Sequence, residues 1–315
     1  MSLVDEIGGL DPAVLAVLEA ARAGDLDRLR GLLEADPGAA NPRWAHGQQP
    51  TRPRMEVVPL SCVSLGVFEG TNRAGNEGLL AQALIEAGAD IELDHGGPLK
   101  TAISYYAPDV ARVLLDAGAA VDSPDGGGMP LAYALSFGFT DLAEMLAEAG
   151  AAVDMRFAAG LGQLDVVRSY VLPDGTLRPD AGRLADPYEN RFRCERTRAN
   201  ILCQALCFAC LHARRPTVEF LLALGADVNQ EVPGLNQLGG TVLHALTAGV
   251  PYGQVGDRHR YDDLRLPIIE LLLRHGADAN LPDSRFHSTA LGWARHHHAG
   301  RIHDLLAAHV AESSP

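Results

Sequence analysis

Lysine is almost missing from this chain: Lys100 stands alone against 25 arginines. Aromatic residues make up only 5% of the sequence, so those that occur in loops stand out. Long apolar runs are missing too. No stretch approaches the roughly 18 residues that a membrane-spanning helix needs, so no membrane partner is expected. The first residues include Asp5 and Glu6 and no basic segment leading into an apolar one, so no signal peptide is expected. The five cysteines are too few and too clustered for a disulfide framework. A reducing compartment, most simply the cytoplasm, is the expectation. Positive charge is in deficit, with 26 basic against 40 acidic residues and a net charge of −14. Nucleic-acid binding depends on neutralising phosphates, so a nucleic-acid partner is not expected. There is no Walker loop, no GxSxG, no HExxH and no dinucleotide fingerprint. No cofactor or metal is expected on that account. The Ala-, Gly- and Leu-rich composition resembles the product of a GC-rich bacterial gene.

What is present is a recurring phrase. It reads GADIE from Gly88, GAAVD from Gly118, GAAVD from Gly150, GADVN from Gly225 and GADAN from Gly276. Each copy follows a Leu-rich helical run. The glycine suits the left-handed turn that ends a helix, and the Asp or Asn suits the tight turn beyond it. A second short helix precedes each copy, opened by Pro98-Leu99 in one unit and by Met129-Pro130-Leu131 in the next. The order is turn, short helix, short helix, loop, repeated. The phrase glycines lie 30, 32, 75 and 51 residues apart.

The shorter spacings are close to the roughly 33 residues of an ankyrin unit. Met129 to Asp154 reads MPLAYALSFGFTDLAEMLAEAGAAVD, and Gly97 to Asp122 fits the same pattern without a gap. Ala205 to Asn229 reads ALCFACLHARRPTVEFLLALGADVN, and Thr241-Val242-Leu243-His244 copies the family's opening tetrapeptide. The chain therefore resembles the ankyrin-repeat family. The resemblance implies an all-α fold, an ankyrin-repeat α-solenoid of about eight helix-turn-helix units, written as a single array over residues 1–315. The units fall near 10–41, 57–92, 96–122, 128–154, 155–172, 201–229, 240–280 and 288–311. The ending Arg295-His296-His297-His298 suits a polar end cap, which a stacked array requires.

Four segments exceed the unit: 37–57, 68–78, 172–200 and 249–266. Loops of that length in a compact array usually have a function or no fixed structure. These carry aromatic and Arg residues, the types that anchor interfaces. Trp44, His46, Arg52, Arg54, Tyr188, Arg191, Arg193, Tyr252, Arg258 and Tyr261 are the expected partner contacts. In ankyrin arrays, segments between units lie beside the first helices and the concave face, so 37–57 and 172–200 are expected to overhang it.

Several clusters admit a chemical and a structural reading. Cys203, Cys207 and Cys210 have the three-cysteine spacing of a radical S-adenosylmethionine cluster, but the repeat register places them in a helix core. His244 corresponds to the family's turn-supporting histidine. His259 beside Asp262 and Asp263 could form an acid–base or metal site, or a solvated loop. Arg191, Arg193, Arg196 and Arg198 alternate with Glu189 and Glu195 and suit an acidic partner or internal pairing.

The resemblance implies a protein- or peptide-binding scaffold, with an immunity or regulatory role as one form of it. The alternative is an enzyme or small-molecule binder built on the scaffold. Its acid–base groups would be His259, Asp262, Asp263 or His244, with Arg191 and Arg193 holding substrate.

Overall fold

The computed structural model describes residues 10–43, 55–124, 126–184, 194–233, 239–248 and 258–313, with the backbone alone at 258–262 and 313. Among these residues the regular structure is helical. In chain order the helices are α1 Pro12–Ala23, α2 Leu26–Ala35, α3 Pro59–Phe68, α4 Glu77–Glu86, α5 Leu93–Ser104 and α6 Pro108–Asp116. There follow α7 Met129–Phe137, α8 Thr140–Glu148, α9 Met155–Leu161, α10 Leu164–Ser169, α11 Arg198–Leu211 and α12 Arg215–Ala223. The last are α13 Val242–Thr247, α14 Arg258–Arg274, α15 Ala290–His296 and α16 Gly300–Ser313. Read in twos, they are eight helix pairs among the described residues, the ankyrin fold that the repeated phrase implies.

Two compact units divide the chain: residues 1–130 with 148–151, and residues 131–147 with 152–315. Within the first, α3 packs between α1 and α5, while α4 packs between α2 and α6. Within the second, first helices stack in the order α9, α11, α13, α15, with α10 against α12 and α14 against α16. First helix meets first helix and second meets second, so each apolar stripe is covered by the next pair. The core is correspondingly aliphatic: Leu18, Leu60, Val63, Leu99 and Ile103 in one unit, Leu206, Leu243, Leu246, Leu272 and Leu306 in the other, all essentially inaccessible.

The phrase glycines do what their sequence context requires. Gly88, Gly118, Gly225 and Gly276 have φ between 85° and 91°, a region costly for any residue with a β-carbon. In each case the glycine N–H donates three residues back and the next N–H donates five residues back, as from Ala89 to Leu84 and from Ala226 to Leu221. This is the Schellman closure of a helix end.

The turn beyond it is bridged to the preceding pair. The N–H two residues after the glycine donates to a side-chain oxygen from upstream: Asp90 to Asn41 Oδ1 at 2.7 Å, Asp278 to Asn229 Oδ1 at 2.8 Å, and Ala120 to Glu92 Oε1 at 2.5 Å. Asn41 and Asn229 also donate to the Gly88 and Gly276 carbonyls.

His212, just past α11, is fully buried in the second unit. Its Nδ1 lies 2.8 Å from Thr140 Oγ1 and its Nε2 3.0 Å from the Leu135 carbonyl. Because Nε2 must donate to that carbonyl, Nδ1 is the acceptor, and the ring is neutral. Burial lowers its pKa to about 4. A lowered histidine pKa means that the unfolded chain binds the proton more readily. The stability it provides is complete above pH 6.5 and is lost as pH falls from there to about 4, up to roughly 3 kcal/mol. We expect urea midpoints to fall across that window and the fall to flatten in His212→Gln. An equal slope in the variant would assign the effect elsewhere. His244, lowered by burial in the same direction, supplies a second contribution in that window.

Candidate interaction surfaces

Most of the contacts expected from sequence, Trp44, His46, Arg52, Arg54, Tyr188, Arg191, Arg193 and Tyr252, lie outside the described residues. Arg258, His259, Tyr261 and Asp262 fall in the opening turns of α14, where the backbone alone is described. The segment 249–266 is therefore not a loop in its second half. The second helix of that pair starts at Arg258, because the polar run RHRYDDLRL carries no helix-breaking residue before Pro267. Asp263, exposed on that helix, pairs with the Arg301 guanidinium of α16.

His244 is fully committed. Its Nδ1 accepts the Thr241 N–H at 3.1 Å, closing a capping box over α13, and its Nε2 donates to the Ser288 carbonyl at 3.1 Å. Both ring nitrogens are used, which leaves neither to move a proton. The Cys203, Cys207 and Cys210 side chains sit inside α11 and are buried. Burial pushes each thiol up, Cys207 to about 12, the opposite of what a thiolate ligand requires.

The insertion at 172–200 is partly built into the second unit. Val171 bridges to Leu177 across the turn Pro173-Asp174-Gly175, with Asp174 Oδ1 accepting the Thr176 N–H at 2.9 Å. The P-D-G signal for that hairpin is present in the sequence, inside the segment expected to be a loop. Further along, Asp154 caps α9. Its Oδ1 accepts the Arg156 and Phe157 N–H groups, and its Oδ2 accepts Arg156 Nη2 at 2.7 Å and the Leu184 N–H at 3.1 Å.

Arg156 also donates to Gln204 Oε1 at 3.0 Å and to the Leu184 carbonyl, and Gln204 donates to the Pro233 carbonyl at 2.7 Å. The pair is 0% and 1% exposed. This network fixes the chain at Leu184, immediately before residue 185. Arg43 does the same for 37–57, joining Asp11 at 2.8 Å and Asp36 at 2.5 Å, and its hydrogen bonds hold both carboxyls below their ordinary range. Arg196 and Arg198, on the described part of the insertion, are engaged by backbone groups. They donate to the Leu184, Gly175 and Leu224 carbonyls.

Two exposed aromatic surfaces were not singled out from sequence. The first is a finger between α14 and α15 in the second unit, closed by a bridge between Pro282 and Thr289. Asp283 is its hub. It accepts the Arg285, Phe286 and Ser288 N–H groups and Trp293 Nε1–H at 2.9, 2.5, 2.9 and 3.0 Å. Burial alone would raise this carboxyl, but those donors outweigh it and hold it down to about 2. On this frame Phe286 stands 54% exposed. Its ring lies edge-on to Trp293 at 5.6 Å, with the Arg285 guanidinium 5.2 Å from its centre. Trp293 stacks on His297 at 5.3 Å, so part of the presumed polar end cap is an aromatic support.

The second surface is a shelf in the first unit. Phe68, at the end of α3, stacks on Tyr105, just past α5, with ring centres 4.6 Å apart. The Tyr105 hydroxyl lies 3.2 Å from Met55 Sδ. Met55 is 42% and Phe68 37% exposed. Burial, then the Glu56 and Glu69 carboxylates, push the Tyr105 phenol up.

No family model and no curated protein matches the chain. Among solved structures it is similar to the ankyrin repeat domain of Bcl-3, at 19% identity over 93% of this chain and 97% of that one, with a TM-score of 0.38. It is also similar to the human ASB11 ankyrin repeat domain, at 20% identity over 95% and 98% of the two chains, with a TM-score of 0.38.

Proposed function

We propose that this chain is a protein- or peptide-binding array that recognises a specific partner. The observation that supports this best is the Phe286 finger. A large aromatic side chain stands in solvent on a loop whose conformation is already fixed by four hydrogen bonds to Asp283. Exposed apolar residues cost little when rigid and repay most when covered, and aromatic and Arg anchors carry most interface energy. The insertions belong to the same reading. Arg43 and the Asp154–Arg156 network fix where 37–57 and 172–200 leave the array, which limits the entropy that Trp44, His46, Arg52, Arg54, Tyr188, Arg191 and Arg193 would lose on binding. Tyr252, Arg258 and Tyr261 are proposed as further contacts. The acid–base alternative finds less support, because His244 has both nitrogens engaged and Asp263 is paired.

The test is an unbiased peptide-display selection on the full chain, with affinities then measured on variants. Enriched peptides that lose about tenfold or more in affinity to Phe286→Ser, with an unchanged unfolding midpoint, are the expected result. Failure to enrich any peptide would sink the proposal. Enriched peptides indifferent to Phe286 would move the site elsewhere on the array.

A further inference from the structure

The shelf formed by Met55, Phe68 and Tyr105 carries a second, more specific inference. It is an apolar surface set in a strongly acidic body: residues 1–130 with 148–151 hold 20 acidic and 9 basic residues, whereas the rest of the chain is nearly balanced at 20 and 17. In sequence, Arg54 precedes Met55 directly. Glu56 follows Met55 directly, Glu69 follows Phe68 directly, and both carboxylates bear on the Tyr105 hydroxyl. Arg22 takes Glu69 through two hydrogen bonds. Among the described residues no cation pairs with Glu56, and it stands half-buried.

A ligand that covers Met55 and Phe68 must bring apolar surface. If it also brought carboxylates, it would meet Glu56 and the field of the whole unit, and like charges brought together at an interface cost several kcal/mol. If it brought guanidinium or ammonium groups, they would meet Glu56 and the faces of two aromatic rings, both attractive to cations.

We infer that the shelf is a docking surface for a basic polypeptide segment carrying an apolar anchor, with the anchor on Phe68 and Met55 and a cation against Glu56 and Tyr105. This rests on the reading of the chain as a polypeptide binder, but it names a different unit, different residues and the sign of the partner's charge.

The probe is a fluorescein-labelled dodecapeptide of Arg and Gly around a Leu-Trp pair, titrated by anisotropy into the full chain. One matched peptide has Glu for Arg, the other Ser for Leu and Trp. The basic apolar peptide is expected to bind about tenfold or more tightly than either. Phe68→Ser and Tyr105→Ser each weaken it by about tenfold, while Tyr105→Phe, which keeps the ring, retains most of the affinity. Glu56→Gln weakens it by about two- to fivefold and makes it less sensitive to salt. Phe286→Ser leaves it unchanged.

The inference is overturned if the acidic peptide binds as well, or if Phe68→Ser, checked by its circular dichroism, binds like the parent. Loss in Phe286→Ser but not in Phe68→Ser removes the shelf and keeps the finger. No binding here, together with no enrichment in the display selection, removes the binding function and the shelf with it.

Discussion

Asp154→Ala lowers the stability of the second unit by about 3–5 kcal/mol, the cost of leaving a buried guanidinium without its counter-charge. The carboxylate it removes is inaccessible and accepts from Arg156, from the backbone of α9 and from the Leu184 N–H, so no single neighbour can replace it. Water cannot do so either, because Arg156 is itself 1% exposed. The double variant Asp154→Leu with Arg156→Met loses less, since it removes both charges and leaves uncharged groups to be satisfied: the backbone N–H groups of residues 156 and 157, the Leu184 backbone and Gln204. Urea unfolding followed by circular dichroism measures both. A loss below about 1 kcal/mol in Asp154→Ala would mean that solvent reaches the pair. The same variant releases the segment at Leu184, so proteolysis between 172 and 200 accelerates before global unfolding.

Gly66→Ala destabilises the first unit by about 1–3 kcal/mol, although alanine favours a helix over glycine by about 1 kcal/mol. Packing decides the sign. A β-carbon at Gly66 would lie 2.3 Å from the Arg22 carbonyl oxygen, a backbone atom that cannot rotate away. The same carbonyl accepts the Thr71 hydroxyl at 2.8 Å, and Arg22 grips Glu69, so α1 and α3 are held together at this point. Thermal unfolding is the measurement. An unchanged or raised midpoint would show that α1 moves freely over α3.

The periodic features of the fold were legible because they are written locally. A Gly after a Leu-rich run fixes a helix end, and Thr241 three residues before His244 fixes a helix start. The features that were missed depend on residues distant in sequence. Nothing near Gly66 signals that α1 will lie against it. Asp154 reads as one more turn residue until Leu184 is brought back to it from 30 residues away. The candidate surfaces show the same division. Trp44, Tyr188, Tyr252 and Tyr261 stand out inside long insertions, whereas Phe286 lies at the edge of a regular repeat and Phe68 is the first residue of the shortest insertion. Their exposure depends on what the neighbouring pairs leave uncovered. The segment 249–266 lacks the phrase and so suggests one loop, although its second half has ordinary helix-forming composition.

The bridge that carries one helix pair to the next is blind to sequence distance. The same N–H, two residues past the closing glycine, reaches a side-chain oxygen 28 residues upstream at Glu92 but 49 residues upstream at Asn41 and at Asn229. The joint is equally short in each case, so the added chain imposes no change of register on the helices it interrupts. Because the entropy of a longer excursion rises only logarithmically, such a scaffold can lengthen, shorten or exchange its excursions while its spine keeps one geometry. New recognition can then arise in the inserts by selection on contact alone, without each trial being filtered through the folding of the whole array.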